Sequence, residues 1–170
     1  MDQRGSPVSV GAGGRLRLPG GMPKPYCFGM AAEDNKALLA RYITEVWDNA
    51  NLEALWDFLS PGYVRHTSPD LPPLDLAGQI ERLHGFRRAF PDITIEVEEV
   101  VAEDDRVAFR STMRGTHEGE FAGLAATGRH VTVGLVDLIR IEDGRFAEQW
   151  GGPDVFDLLR QLGARHRSGG

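Results

Sequence analysis

The stretch VTVGLVDLIRI, residues 131–141, alternates in the way that is typical of a β-strand with one buried face. Side chains of a strand point alternately to its two faces, so Asp137 shares a face with five apolar residues, Val131, Val133, Leu135, Ile139 and Ile141. An unpaired carboxylate buried there would cost several kcal/mol, so it must find a partner, take up a proton or face a pocket. Asp137 is therefore either a general acid or base, or a structural aspartate bound by a backbone amide or by an arginine such as Arg110 or Arg114.

This strand is one of four that the sequence predicts after Pro91. Alternation with a period of two runs through residues 93–98, 107–114, 131–141 and 145–150. Acidic turns at residues 103–105 and 142–144 are typical of hairpins, whereas residues 118–128 form a longer, glycine-rich connection. The strands therefore form an antiparallel meander.

Helical spacing of apolar residues predicts three helices before the meander and one after it. We expect Asp34, Asn51 and Asp154 to cap the first, second and last helices, and the third to run from Asp75 to Phe90. The residues expected on their inner faces are Leu38, Leu39, Tyr42, Ile43, Val46 and Trp47; Leu52, Leu55, Trp56 and Leu59; Leu76, Ile80, Leu83 and Phe90; and Val155, Leu158, Leu159 and Leu162. A short extended piece, residues 63–67, lies between the second and third helices. This order predicts an α+β fold in which a curved sheet wraps over helices and leaves a concave pocket.

Composition divides the 170 residues into one domain, 31–163, with a Gly/Pro-rich flexible tail at 1–30 and a second tail at 164–170. The first tail holds four basic side chains and one acidic, so its charge is +3 and the rest of the chain carries −9 of the total of −6. An acidic body argues against nucleic acid and other anionic partners. The apolar runs are too short for a membrane helix or a signal peptide. The single cysteine, Cys27, cannot form an internal disulfide, and we expect a cytoplasmic protein.

The histidines and tryptophans give less specific signals than Asp137. The five histidines are too scattered for a metal signature, and no motif for a covalent nucleophile is present. His66 and His117 end predicted strands, so each could point into the mouth of a pocket, although a lone histidine is more often structural. Trp47 and Trp150 lie in apolar elements and are more typical of a core than of a ligand platform.

Four segments resemble the SnoaL-like polyketide cyclases, also called ester cyclases. They are residues 35–47, 61–66, 115–129 and 136–145, and the resemblance extends over residues 33–163. It implies the cone-like NTF2 fold and chemistry without a cofactor: a carboxylate removes a proton next to a carbonyl, and the enolate closes a ring by intramolecular aldol addition. It says little about the substrate, because relatives on this scaffold include isomerases, hydroxylases and hydrolases.

The sequence departs from the family at the base. The cyclases carry an aspartate at the end of the last strand, where this chain has Gly151, and a histidine where it has Asp137. We therefore expect Asp137 to be the acid/base, with Asp154 as the next candidate carboxylate. The resemblance also indicates His66 as a second catalytic group. The predicted substrate-binding residues are His117, Gln149, Trp47, Phe121 and Trp150.

Three functions remain open from the sequence. The first is a cyclase acting on a polyketide or similar small apolar metabolite, without cofactor or metal. The second is a binding protein that has lost its base at Gly151, and the third is an enzyme that activates water, a hydrolase or hydroxylase partner, through Asp137 and Gln149. A sheet of this type leaves one outer face uncovered, so a homodimer through a face that includes Thr132, Val136 and Leu138 is expected.

Overall fold

The computed structural model of this chain describes residues 9–10, 16–17, 28–68 and 70–164. Its helices are α1 (Phe28–Tyr42), α2 (Leu55–Phe58), α3 (Leu76–Ala89) and α4 (Val155–Leu162), with a π-helical segment at Ile43–Asp48 and a 3₁₀ turn at Leu52–Ala54. Its strands are β1 (Ser9–Val10), β2 (Leu16–Arg17), β3 (Leu59–His66), β4 (Thr94–Glu103), β5 (Arg106–Thr116), β6 (His130–Glu142) and β7 (Arg145–Pro153). The predicted α+β class and the four-stranded meander are confirmed.

Five strands form one sheet in the order β3-β7-β6-β5-β4. The meander pairs are antiparallel, and β3 adds to the edge of β7 in parallel. The sequence predicted the extended piece at 63–67 but not this pairing, because a parallel neighbour is distant in the chain and leaves no turn signal between the two strands. The parallel edge brings Arg65 level with Gln149.

The predicted tail at 1–30 falls mostly outside the described residues. Within it, β1 and β2 pair antiparallel over two residues each, and α1 begins at Phe28. Asp34 therefore lies inside α1, and its predicted role as the N-cap is wrong. Asp75 and Asp154 do cap α3 and α4, where their carboxylates accept hydrogen bonds from the backbone N–H of Gly78 at 2.8 Å and of Asp157 at 2.9 Å.

The end of the first helix widens into the π-helical segment, in which the N–H of Asn49 reaches back five residues to the carbonyl of Thr44 at 2.9 Å. Carbonyls at the end of a helix need other donors. The Arg87 guanidinium of α3 donates to the carbonyl of Trp47 at 2.6 Å, and it also reaches Val46 O at 3.4 Å. This contact ties α3 to the segment and fixes the position of Trp47.

The core fills the space between the inner face of the sheet and the helices. Tyr42, Phe58 and Phe146 form an aromatic cluster with ring centroids 5.1–6.5 Å apart, in which Tyr42 meets both phenylalanine rings edge-on. Two residues predicted to face inward do not: Trp56 is 56% exposed and Val155 is 50% exposed. The predicted second helix is in fact a single α-turn after the 3₁₀ turn, because the chain turns into β3 at Leu59, and Trp56 is left on its outer side.

The buried face of α3 also differs from the prediction. Its buried residues are Gln79, Leu83, Phe86 and Ala89, whereas Leu76 and Ile80 are only partly buried. The polar residue Gln79 was not expected there. None of the described helices is both long and apolar enough to cross a lipid bilayer.

Two glycines with positive φ, Gly151 at +94° and Gly152 at +137°, lie just before Pro153, the last residue of β7. A Cβ at position 151 would lie 2.0 Å from the carbonyl oxygen of Val136 and 3.1 Å from Cα of Asp137. The backbone of β6 therefore occupies the space of a side chain, and any residue other than glycine must move the strand.

We expect Gly151→Ala to lower the free energy of unfolding by at least about 2 kcal/mol, because positive φ is strained for alanine and the Cβ meets rigid backbone. Urea denaturation measures the change. Gly134→Ala is the matched control, since a Cβ on that exposed β6 residue has nothing within 4 Å and should cost nothing or stabilise slightly. Equal stability of Gly151→Ala and wild type would contradict the close approach.

Candidate active site

A small pocket, open to solvent on one side, lies between the inner face of the sheet and the helices α1 and α3. Its walls are mainly apolar, and its polar side chains are few. The apolar wall comes from Ile43, Trp47, Leu83, Phe86, Phe109 and Met113, among others. Such a pocket is typical of a binding site for a small apolar molecule.

Asp137 lies on the pocket wall and is only 3% exposed. Gln149 of the neighbouring strand donates from Nε2 to Asp137 Oδ1 at 2.8 Å, and the Tyr63 hydroxyl donates to Gln149 Oε1 at 2.6 Å. The tyrosine thereby fixes which end of the amide faces the carboxylate. The three side chains form one buried hydrogen-bonded chain that reaches from β3 across β7 to β6.

The charged neighbour of Asp137 is Arg65 of β3. Its Nη2 lies 3.4 Å from Asp137 Oδ1 and donates to the carbonyl of Gly151 at 2.8 Å. The prediction that Arg110 or Arg114 binds Asp137 is wrong, because side chains alternate between the two faces of a strand. The two arginines lie on the outer face of β5, where they form ion pairs with Glu98 and Glu96.

Burial raises the pKa of Asp137 above its ordinary value, and the Arg65 charge, the Gln149 hydrogen bond and the more distant Arg82 only partly offset that effect. Both hydrogen bonds to the carboxylate reach Oδ1. Among the described residues, Oδ2 accepts no hydrogen bond from any side chain or backbone group. Asp137 thus combines a held oxygen, an unengaged oxygen and a raised pKa, which suits a group that takes up and gives back a proton.

Helix α3 supplies two further polar groups to the pocket wall, Gln79 and Arg82. They are three residues apart, so they lie on one face of the helix. The Arg82 guanidinium covers the Phe86 ring at 4.8 Å from its centroid. Burial, together with the positive charge of Arg65, lowers the pKa of Arg82 to about 10, so the group remains a cation at neutral pH.

The structure brings together Asp137, Gln149 and Trp47 of the residues that the sequence indicated. It places His66 and Trp150 elsewhere, on the outer face of the sheet, where their rings stack at 4.9 Å and His66 Nε2 lies 3.3 Å from a Glu148 oxygen. Strand parity explains this, because the buried Tyr63 and Arg65 share one face of β3 and His66 points to the other.

His117 and Phe121 do not line the pocket either. Both pack against Phe90, at 5.3 and 5.6 Å between ring centroids, and His117 Nδ1 lies 3.0 Å from the Thr127 hydroxyl. Burial lowers the pKa of His117, so a neutral ring is favoured. Asp154, the other candidate carboxylate, is the exposed N-cap of α4.

Four polar residues near the site were missed by the sequence analysis: Tyr63, Arg65, Gln79 and Arg82. Parity along residues 63–66 could have placed Arg65 on the inner face with Tyr63. Helical spacing could have placed Gln79 with Leu83 and Phe86. No local signal indicates that the two segments meet at Asp137. Within the described ranges, no three His, Cys, Asp or Glu side chains cluster in a way that could hold a metal ion.

Comparison with known proteins supports one family. The model of the SnoaL-like polyketide cyclase family matches residues 37–162. The aklanonic acid methyl ester cyclase DauD of Streptomyces sp. (strain C5) is 28% identical over 130 residues, which cover 75% of this chain and 78% of DauD.

Two solved structures are similar as well. AclR from Streptomyces galilaeus, described as a candidate hydroxylase, superposes with a TM-score of 0.72 at 32% identity and covers 79% of this chain and 99% of its own. IdmH from Streptomyces antibioticus, described as a candidate polyketide cyclase, has a TM-score of 0.65 at 31% identity and covers 76% of this chain and 98% of its own.

The raised pKa of Asp137 makes a prediction about stability. A carboxyl with a higher pKa in the folded than in the unfolded chain stabilises the fold at low pH, and this contribution is lost as the pH rises from about 4 through the folded pKa. Over that range the free energy of unfolding of Asp137→Asn should therefore rise relative to that of the wild type, by about 1.4 kcal/mol for each unit by which the pKa is raised.

Urea denaturation of both proteins between about pH 4 and 8 measures this difference. Asp70→Asn, a change at an exposed loop residue, is the matched control and should show no such trend. If instead the wild type becomes more stable relative to Asp137→Asn as the pH rises, the two arginines lower the pKa of Asp137 by more than burial raises it.

Proposed function

The chain belongs to the SnoaL-like polyketide cyclase family, and we propose that it closes a ring in an apolar carbonyl metabolite by acid/base chemistry at Asp137. The observation that carries the proposal is the unengaged Oδ2 of a buried carboxylate on the wall of an apolar pocket. A base must have an oxygen that its own supports do not occupy, and Gln149 and Arg65 leave that oxygen available.

The reaction can be written with these groups alone. Asp137 Oδ2 takes a proton from a carbon next to a substrate carbonyl, which leaves an enolate. The enolate carbon attacks a second carbonyl of the same molecule, a carbon–carbon bond forms, and the new alkoxide takes the proton back from Asp137. Substrate and product are isomers, so this proposal requires no metal, cofactor or covalent intermediate.

The surroundings of Asp137 support each step. The apolar walls, with Trp47 and Phe86 among them, can hold a flat substrate folded so that its two carbonyl regions meet. Arg65 contributes a fixed positive charge near the developing enolate. Gln149, itself oriented by Tyr63, keeps the carboxylate in place during proton transfer.

The presence of glycine at position 151, in place of the family aspartate, is consistent with Asp137 as the acid/base. The β6 backbone fills the space that a side chain at 151 would need. Residue 151 pairs directly with Asp137, so the two positions are neighbours across the ladder. We propose that the acidic group moved by one strand, from β7 to β6, while remaining at the same pocket. His66 is left out of this proposal, because it lies on the outer face.

A second function has its own support. The similarity to AclR, described as a candidate hydroxylase, is at least as great as that to IdmH, described as a candidate polyketide cyclase. Asp137 and Gln149 could also orient a water molecule, as in a hydrolase or hydroxylase partner. A protein that binds the metabolite without changing it is the third alternative. Product mass separates the three, since cyclisation leaves it unchanged, hydrolysis adds water, hydroxylation adds an oxygen atom, and binding gives no product.

Asp137→Asn should lower turnover by about 10²- to 10⁴-fold, because the amide cannot accept the proton although it can still accept the hydrogen bond from Gln149. Aklanonic acid methyl ester and its free acid are the first substrates to test, with chromatography and mass spectrometry of the products. Asp70→Asn, at an exposed position, should retain full activity.

Two results would contradict the proposal. Full activity of Asp137→Asn on a substrate that the wild type converts would remove Asp137 from the mechanism. Binding by the wild type with no conversion of any carbonyl metabolite tested would favour the binding protein.

We also propose that the protein is a cytoplasmic homodimer formed through the outer face of the sheet. Val136 and Val101 of that face are 63% and 59% exposed, and Leu138 of β6 and Trp150 of β7 lie in register with Val101 across the sheet. Around these residues, the charges are paired within the face, as in Arg110–Glu98 and Arg140–Glu148. A face without excess charge does not repel a second copy of itself.

Size-exclusion chromatography with light scattering should give a dimer for the wild type and a monomer for Val136→Glu, since a buried unpaired carboxylate would oppose association. Asp70→Glu should leave the dimer intact. A monomeric wild type at micromolar concentration would contradict the proposed dimer.

A further inference from the structure

The charges of the pocket do not balance. Its wall carries two guanidinium groups, Arg65 and Arg82, and one carboxylate, Asp137. Asp137 is already engaged by Arg65 and Gln149. In the ranges 28–68 and 70–164, no carboxylate forms an ion pair with Arg82, and no side chain or carbonyl accepts a hydrogen bond from it. The pocket therefore has a net positive charge whether or not Asp137 is ionised.

Arg82 is only partly exposed, so the missing counter-ion has a cost in the empty protein. Burial and the neighbouring Arg65 lower the pKa of Arg82, as expected for a cation that lacks a counter-ion. The Phe86 ring contacts one face of the guanidinium and leaves its N–H edge available. A Cβ at position 152 would lie 2.8 Å from Arg65 Nη2 and 3.7 Å from Arg82 Nη2, so Gly152 keeps open the space that both guanidiniums approach.

Gln79 gives an independent indication at the same place. Its side chain is 1% exposed, lines the pocket one turn before Arg82, and has an Oε1 without a hydrogen-bond partner. A buried amide atom without a partner destabilises the empty protein, and a ligand that supplies the partner removes that cost. By rotating its terminal bond, the amide can present either its oxygen or its N–H₂ to the pocket.

From these observations we infer that Arg82 and Gln79 bind an ionised carboxylate of the substrate, and that the protein selects an apolar carbonyl acid over the corresponding methyl ester. The guanidinium edge and the amide N–H₂ donate to the two carboxylate oxygens. Bound in this way, the acid supplies the counter-ion that Arg82 lacks. This inference names the substrate class of the proposed cyclase, and thus rests on the proposed function.

The assignment separates the roles of the two arginines. Arg65 Nη2 is engaged by Asp137 and the carbonyl of Gly151, which holds the guanidinium at the reacting end of the site, although its buried Nε has no hydrogen-bond partner. Arg82 and Gln79 come from a different element, α3, and hold a part of the substrate that does not react. Their loss should therefore weaken binding of the acid and not alter the proton transfer itself.

Isothermal titration calorimetry at neutral pH tests this with 2-naphthoate and its uncharged counterpart, methyl 2-naphthoate, neither of which can cyclise. The wild type should bind the acid at least about tenfold more tightly than the ester. Arg82→Gln should weaken binding of the acid by about 10- to 100-fold and leave binding of the ester unchanged. Arg88→Gln, which changes an arginine on the exposed side of the same helix, is the matched control and should keep the preference.

Two more variants keep the result informative if Arg82→Gln does not fold. Arg82→Lys retains the cation and should keep part of the preference for the acid, and Gln79→Leu should lose part of it. An equal affinity of the wild type for acid and ester, no binding of the acid at millimolar concentration, or an undiminished preference in folded Arg82→Gln would overturn the inference. These results do not depend on turnover, so a protein that prefers the acid but forms no cyclic product would refute the proposed function alone.

Discussion

The site depends on one constraint, the cost of placing the Asp137 carboxylate on the buried face of an apolar sheet. A charge there survives only if other groups bind it. The chain meets this requirement with Gln149 from the adjacent strand and Arg65 from the parallel edge strand, and Tyr63 in turn orients the glutamine. Because β3 supplies both Tyr63 and Arg65, the parallel pairing of β3 with β7 is needed for the acid as well as for the sheet.

The glycines near the end of β7 are explained by the close approach of the neighbouring strand. The β6 backbone at Val136 approaches so closely that residue 151 has no space for a side chain. Its carbonyl oxygen, in turn, accepts a hydrogen bond from Arg65 and so helps to place the guanidinium beside Asp137. Position 151 thus has no room for a side chain, and its backbone supports the Asp137 carboxylate on the neighbouring strand.

Charge is distributed differently on the surface and in the pocket. The body of the chain is acidic, which argues against anionic partners of large area such as nucleic acid. The pocket carries the opposite excess, because Arg65 and Arg82 face one carboxylate. Net charge therefore describes long-range encounters and says little about a buried site, where a single guanidinium can determine which small molecule binds.

Alternation along residues 131–141 was enough to place Asp137 among apolar side chains. Helical and strand periodicities were enough to predict the order of helices and strands in the α+β fold. Both patterns follow from the geometry of single elements. The caps at Asp75 and Asp154 are local for the same reason. The pairing of Asp137 with Arg65, and the meeting of Arg82 of α3 with Asp137 of β6 at one pocket, were decided only by tertiary structure. These contacts join segments tens of residues apart, and what selects them is the pairing of strands and the packing of α3 on the sheet, which no local pattern encodes.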